Sequence, residues 1–246
     1  MTDKPGPNAL ATSLEGPLTE VPCPRCACRE RRLRYVLRRG ALVSCCRCGM
    51  TYVSPRLDDA HLERKLQLWS EQDVVDRERL RIAFAPETRE YYARFLARIS
   101  ADTSGTGRRL LDVGCSTGCF MTVARDAGWK VRGIEIGRAA AAYARESQGL
   151  DVSRGTLYSF DPGQATYDAL TMIEVIEHLT DPRTALEQVR RWLCPGGLVL
   201  VTTPNFDSLY RRLFGTRWWV VNCEDEHIVL FTMATLEGML RETGFE

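Results

Sequence analysis

An α/β chain, with a parallel sheet preceded by a small cysteine-rich module, is the fold class the sequence predicts. Three observations carry that expectation. Apolar runs at 109–113, 130–136, 168–173 and 198–203 alternate with helical patterns near 118–127, 138–148 and 182–193. Such alternation builds a parallel sheet with helices on both faces. A glycine-rich turn, Gly114-Cys115-Ser116-Thr117-Gly118, follows the first of these runs and opens a helix. Two Cys-x-x-Cys pairs, Cys23/Cys26 and Cys45/Cys48, stand well ahead of it.

Taken in order, residues 1–21 hold Pro5, Pro7 and Pro17 without apolar periodicity and read as a flexible leader. Residues 22–57 form the cysteine module. Residues 58–104 place Leu62, Leu66, Trp69, Leu80, Ile82, Tyr91, Phe95 and Leu96 among charges, which predicts a helical linker or cap of two amphipathic helices broken near Pro86. Residues 105–246 form the α/β domain. Within it Gly128 and Gly149 follow helical segments where a left-handed cap is needed, and Asp181-Pro182 offers an N-cap and a first-turn proline.

The composition excludes several classes. With 246 residues, 44% of them hydrophobic, and 33 basic against 32 acidic side chains, the chain is neither disordered, collagenous nor a coiled coil. It has no apolar run of about 18 residues, and its first twenty residues lack a basic start with an apolar core. The expectation is a soluble cytoplasmic protein that does not engage a membrane. All but Lys4, Lys65 and Lys130 of the basic residues are Arg, spread along the chain as a coding bias would leave them.

Ten cysteines in a reducing compartment point to metal ligation before disulfides. The spacing C-x-x-C, 18 residues, C-x-x-C predicts a zinc ribbon with Cys23, Cys26, Cys45 and Cys48 as four thiolate ligands. Four protein ligands leave no open position, so the Zn2+ is structural and supplies folding energy to a module too short to build its own core. Gly49 permits the tight turn after Cys48; Cys28 and Cys46 are spare. Between the knuckles Arg29, Arg31, Arg32, Arg34, Arg38 and Arg39 surround Tyr35. A nucleic-acid grip and a solvated hairpin are both open, and sparse aromatic interleaving favours the second.

The glycine turn does not fit a dinucleotide fingerprint, since Ser116 and Cys119 stand where two of its glycines belong. Asp112-Val113-Gly114-Cys115-Ser116-Thr117-Gly118 instead resembles the first motif of the class I S-adenosylmethionine-dependent methyltransferases, with Ser116 in place of the middle glycine. Glu135 ends the next apolar strand, 23 residues after Asp112, where a carboxylate accepts both hydroxyls of a ribose. The run from Tyr167 to Pro182, with Glu174, Glu177 and His178, is similar to the fourth-strand region of that family. Cys194-Pro195-Gly196-Gly197 resembles its turn before the fifth strand, and Glu226-His227-Ile228 with Gly244-Phe245 resembles the segments after it in the small-molecule branch. The likeness spans roughly residues 90–246. It implies a Rossmann-like sheet and binding of S-adenosylmethionine by Asp112, Gly114, Ser116, Gly118, Glu135 and Glu174. It further implies methyl transfer to a small-molecule acceptor, a hydroxyl first and a sugar or other carbon next.

For the proton that must leave such an acceptor, His178 is the first candidate base, with Glu177 orienting it and His227 as the second choice. The competing reading of His178 is a ring that bonds backbone. Aromatic residues from Phe206 to Val221 (Tyr210, Phe214, Trp218, Trp219) either wall an acceptor site or pack the segment onto the domain. An RNA methyltransferase and a degenerate fold serving as a binding protein are the alternative functions. Because the family's sheet normally gains an antiparallel strand pair after the helix near Gly244, a sheet lacking its last one or two strands, with an exposed edge on the fifth, is expected.

Overall fold

The computed structural model describes residues 16–103, 107–164, 166–222 and 226–246. Residues 1–15 of the expected leader, 104 of the expected helical linker, and 105–106, 165 and 223–225 of the expected α/β domain lie outside them. The first elements are β1 (Leu18–Thr19), β2 (Arg31–Val36), β3 (Ala41–Cys45), β4 (Thr51–Val53), β5 (Arg56–Leu57), α1 (Asp59–Val75), α2 (Arg77–Ala83) and α3 (Pro86–Asp102). The helical stretch thus holds three helices where periodicity gave two. The extra break is local: the Asp76 carboxylate accepts from the amides of Glu78 and Arg79 and restarts the helix there. Pro86 opens α3, as a proline in the first turn favours.

The second half runs β6 (Arg109–Val113), α4 (Cys119–Asp126), β7 (Lys130–Glu135), α5 (Arg138–Glu146), β8 (Asp151–Arg154), β9 (Tyr167–Ile173), α6 (Pro182–Trp192) and β10 (Leu193–Thr202). It ends with α7 (Leu209–Phe214), α8 (Trp219–Asn222), β11 (Val229–Leu230) and α9 (Met233–Glu242). Five strands form one parallel sheet in the order β10-β9-β6-β7-β8. The chain winds outward from β6 through β8, then returns to the other side at β9. Between β6 and β9 the connections diverge, and a crevice opens at the carboxyl ends of the strands. β8 has no counterpart among the predicted strands, because its Asp-Val-Ser-Arg sequence carries one apolar residue.

The period of two along each strand divides the core. Leu110, Ala169, Leu198 and Leu200 face Leu96 and Ile99 of α3 and Phe120 and Val123 of α4. Leu111, Leu170, Met172, Val199 and Val201 face the opposite way, toward Leu186 and Val189 of α6 and Met239 of α9. Both faces of β10 are therefore packed, although among the described residues it pairs only with β9.

The cysteine module continues into the second half of the chain. Its antiparallel strands lie in a sheet of order β11-β4-β3-β2, with Val229 opposite Tyr52 and Leu230 opposite Thr51. Ile228 extends the link: its carbonyl accepts from the Val53 amide at 2.9 Å and its own amide donates to the Glu177 carbonyl at 3.0 Å. Met50, Tyr52 and Leu57 share one core with Met172, Ile176, Ile228 and Phe231. Arg25, between the first two cysteines, forms a two-toothed pair with Glu242 of α9 at 2.7 and 3.3 Å.

Ile228 is 2% exposed, so Ile228→Ala should cost about 2–5 kcal/mol. Urea unfolding followed by tryptophan fluorescence should remain a single shifted transition. Two separated transitions would show that the module and the parallel sheet unfold independently.

Candidate functional site

The crevice is built first by backbone. At the end of β6, Gly114 (φ +72°), Ser116 (φ +48°) and Gly118 (φ +83°) all take left-handed conformations. A Cβ on Gly114 would lie 2.6 Å from Val175 Cγ2, and one on Gly118 would strike Leu150 Cδ1, so glycine is required twice over. Ser116 accepts the cost of the same region, about 1–2 kcal/mol for an L-residue. Its amide is recompensed by donating to Glu135 Oε2 at 2.8 Å.

Glu135 is a buried hub. Oε1 accepts from the Gly137 amide and the Ser70 hydroxyl, each at 2.7 Å. Ser70 arrives from α1, and a side chain on Gly137 would displace it. Asp112, also buried, accepts from the Thr171 hydroxyl at 2.7 Å. Burial, opposed by that bond and reinforced by the Glu135 charge, pushes its carboxyl up to about 7.

Above this hub lies a cavity of about 340 Å³. Gly114, Ser116, Glu135, Glu174 and His178 line it, together with Leu66, Trp69 and Ser70 of α1. Asp112, Gly118, Glu177 and His227 are not part of its wall: the first two belong to the turn behind it, and the His227 ring lies against His178. Glu174 sits at φ +53°, its amide and carboxylate both engaged by Thr202. Ser70, Trp69, Thr171 and Thr202 escape sequence reasoning because no local motif marks them.

At the far end of β9, Glu177, His178 and His227 converge, with one ligand-type atom of each within 4.8 Å of the others. His178 Nδ1 donates to the Glu226 carbonyl at 2.7 Å, which leaves Nε2 as the basic nitrogen. The ring therefore bonds backbone and lines the cavity at once. Burial, aided by His227, lowers its pKa to about 4. The Glu177 carboxyl is fully buried; burial first, and then the adjacent Glu174 carboxylate, hold it well above the carboxylate range, against a smaller lowering by the Thr203 hydroxyl. Trp69, His178, His227 and Trp219 form a row of rings with centroids 6.2, 5.0 and 5.4 Å apart. Phe206 and Trp218 instead pack against Leu42 and Val53 of the module, and none of Tyr210, Phe214, Trp218 or Trp219 lines the cavity, so of the two expected roles the described contacts show the packing one.

The cysteine sulfurs also converge, with Cys23–Cys48, Cys26–Cys45 and Cys26–Cys48 separations of 3.5 Å. Zn–S bonds of about 2.3 Å require tetrahedral edges of about 3.8 Å, so the four donors fit a zinc ion. Each knuckle ends in a left-handed residue, Ala27 (φ +56°) and Gly49 (φ +73°).

Residues 84–246 match the family described as Methyltransferase domain. The chain belongs to the methyltransferase-domain family. Among curated members it resembles the ubiquinone biosynthesis O-methyltransferase of Alkalilimnicola ehrlichii, with 34% identity over 40% of this chain and 42% of that protein. The corresponding Cereibacter sphaeroides enzyme is 28% identical over 65% and 68% of the two chains. The chain thus spans less than half the length of the first of these relatives. Two solved structures show the methyltransferase fold. A possible histamine N-methyltransferase from Thermotoga maritima has a TM-score of 0.56 and 24% identity over 74% of this chain and 81% of that one. The N-methyltransferase NodS of Bradyrhizobium japonicum, in complex with S-adenosyl-L-homocysteine, has a TM-score of 0.54 and 18% identity over 72% and 85%. No helix among the described residues is long and apolar enough to cross a membrane.

Gly49 and Gly114 share a left-handed backbone, but a Cβ on Gly49 meets nothing within 4 Å. Gly49→Ala should cost about 1 kcal/mol, and Gly114→Ala clearly more, read as the fall in urea midpoint. Equal losses would contradict the close approach of Val175.

Proposed function

We propose that the protein transfers a methyl group from S-adenosylmethionine to a hydroxyl oxygen of a small-molecule acceptor. The observation that carries this reading is one cavity lined by both the glycine turn with Glu135 and the imidazole of His178. S-adenosylmethionine, when bound, supplies a methyl on a sulfonium that is already its own leaving group. Glu135, Ser116, Gly114 and Glu174 are the residues that would hold it. The Ser70 hydroxyl at 2.7 Å marks a hydroxyl-accepting position on Glu135 Oε1, as a ribose requires. Asp112 and Gly118 shape the turn from behind the cavity wall.

Methyl transfer leaves the chain two tasks: aligning the acceptor and lowering the cost of removing its proton. Trp69 walls the acceptor end, and His178, pushed to its neutral form, lines the cavity with Nδ1 tied to the Glu226 carbonyl, which leaves Nε2 as the nitrogen free to take a proton. The His227 ring lies beside it with centroids 5.0 Å apart. Similarity to relatives named for ubiquinone biosynthesis supports a hydroxyl acceptor over carbon or nitrogen. Zn2+ on Cys23, Cys26, Cys45 and Cys48 serves the fold, since four thiolates leave no coordination position for chemistry.

Product mass spectrometry with methyl-labelled S-adenosylmethionine against phenolic and sugar acceptors tests the reading, with calorimetry reporting cofactor binding. His178→Ala should lower kcat by about 10²–10⁴ and leave S-adenosylmethionine affinity little changed. Unchanged turnover would remove His178 from the mechanism, and absence of binding heat would overturn the methyltransferase reading itself.

A further inference from the structure

We propose that the arginine-lined end of the cysteine module's sheet is an anion site, which takes the phosphate or pyrophosphate group of a small molecule. It is separate from the cavity lined by Glu135 and His178, and it does not rest on the methyl-transfer reading.

Strand register builds the site. Arg32 of β2 stands opposite Ser44 of β3, and Ser44 stands opposite Thr51 of β4. The three side chains therefore form one row on one face of the sheet. Arg34 is unpaired at a bulge between Leu33 and Tyr35, two residues on from Arg32 and on the same face. Further along this face Leu42, Val53 and Leu230 are covered by Phe206, Val220 and Val221. Beyond that cover the row borders a cavity of about 620 Å³, inside the roughly 300–1,000 Å³ range of small-molecule pockets. Arg32, Arg34, Ser44 and Thr51 line it from the sheet, and Arg211 and Thr232 close it from the second half of the chain.

Charge decides the ligand. Arg32 and Arg34 are exposed, and neither has an ion-pair or hydrogen-bond partner among the described residues. Their neighbours in the hairpin are engaged: Arg31 with Glu20 at 2.6 Å and Arg39 with the Gly16 carbonyl at 3.1 Å. Arg211 is held over the Phe206 ring, with Nε donating to the Phe206 carbonyl at 2.8 Å. The one carboxylate on the wall, Asp207, lies 3.0 Å from Arg212 and 3.6 Å from Arg211. Strand alternation turns the Cys45 sulfur to the opposite face, among Met50 and Tyr52, so its charge is not on the wall. Three guanidiniums against one carboxylate leave two positive charges in excess. That matches the roughly −1.5 to −2 of a phosphate monoester near neutral pH and exceeds the single charge of a carboxylate. The Ser44 and Thr51 hydroxyls lie 3.0 Å apart; one donates to the other, which keeps its own proton for a ligand oxygen. The cations converge on a cavity and do not run as a stripe, so a small molecule fits better than a nucleic-acid strand, whose backbone is tracked by an extended groove.

Calorimetric titration of zinc-replete protein with inorganic pyrophosphate tests the site. We expect one saturable equivalent whose affinity falls as salt rises. Arg32→Ala and Arg34→Ala should each weaken binding about tenfold or more, as loss of a charge-assisted hydrogen bond does. Lys at either position should restore only part, because an ammonium lacks the guanidinium fork. Both side chains are exposed, so the variants should fold, and their zinc content checks that they have. No saturable pyrophosphate binding, or undiminished affinity in the zinc-replete double Ala variant, would overturn the proposal. So would a single-stranded oligonucleotide that binds more tightly than pyrophosphate with a steeper salt dependence. S-adenosylmethionine binding, measured on the same samples, reports the methyltransferase reading separately.

Discussion

The pairing of β11 with β4 is the constraint on which the rest of the structure depends. Ile228 lies between two backbone bonds, one to Val53 of the cysteine module and one to Glu177 at the end of β9. His227 precedes it in sequence and is thereby delivered against His178, with ring centroids 5.0 Å apart. Neither half of the chain could hold this arrangement alone. The module brings a short antiparallel ladder with little core of its own, and the parallel sheet brings the strand end but nothing to cover it. Through β4 and Ile228, four cysteines remote from the cavity become the support of a residue at its edge.

Strain in the molecule is held by local partners. Ser116 and Glu174 take left-handed backbone on opposite sides of the cavity, and each is over-determined by neighbours: Glu135 for the first, Thr202 for the second. Asp112 and Glu177 are carboxyls driven toward neutrality by burial. Ser116 and Glu174 line the crevice, whereas the other left-handed non-glycine residues, Ala27 and Arg108, lie away from it; strain held beside a cavity by neighbouring groups is of the kind a ligand site uses. Away from the crevice, Leu111, Leu170 and Met172 pack by simple strand alternation.

What was legible in the sequence follows a physical division. Features set by neighbours along the chain were readable: the glycine turn after β6, Glu135 at the end of β7, His178 after β9, and the two cysteine knuckles. Features set by tertiary approach were not. Ser70 and Trp69 sit in a helix whose pattern announces only amphipathicity, yet they close the cavity over Glu135. The pairing of Val229 with Tyr52 has no local signal, because two-residue strands carry no periodicity. His227 stood second to His178 as a candidate base, and the fold makes them neighbours in one cluster. The expected open edge on β10 is only partly so, since alternate leucines and valines from it enter both cores.

Hydrogen exchange resolved by mass spectrometry, with and without a zinc chelator, tests most directly whether the cysteine module supports the site. The account predicts that chelation removes protection from the Val53 and Ile228 amides together with that of the Cys45 hairpin, because one ladder joins them. An Ile228 amide that stays protected while the hairpin exchanges freely would contradict it.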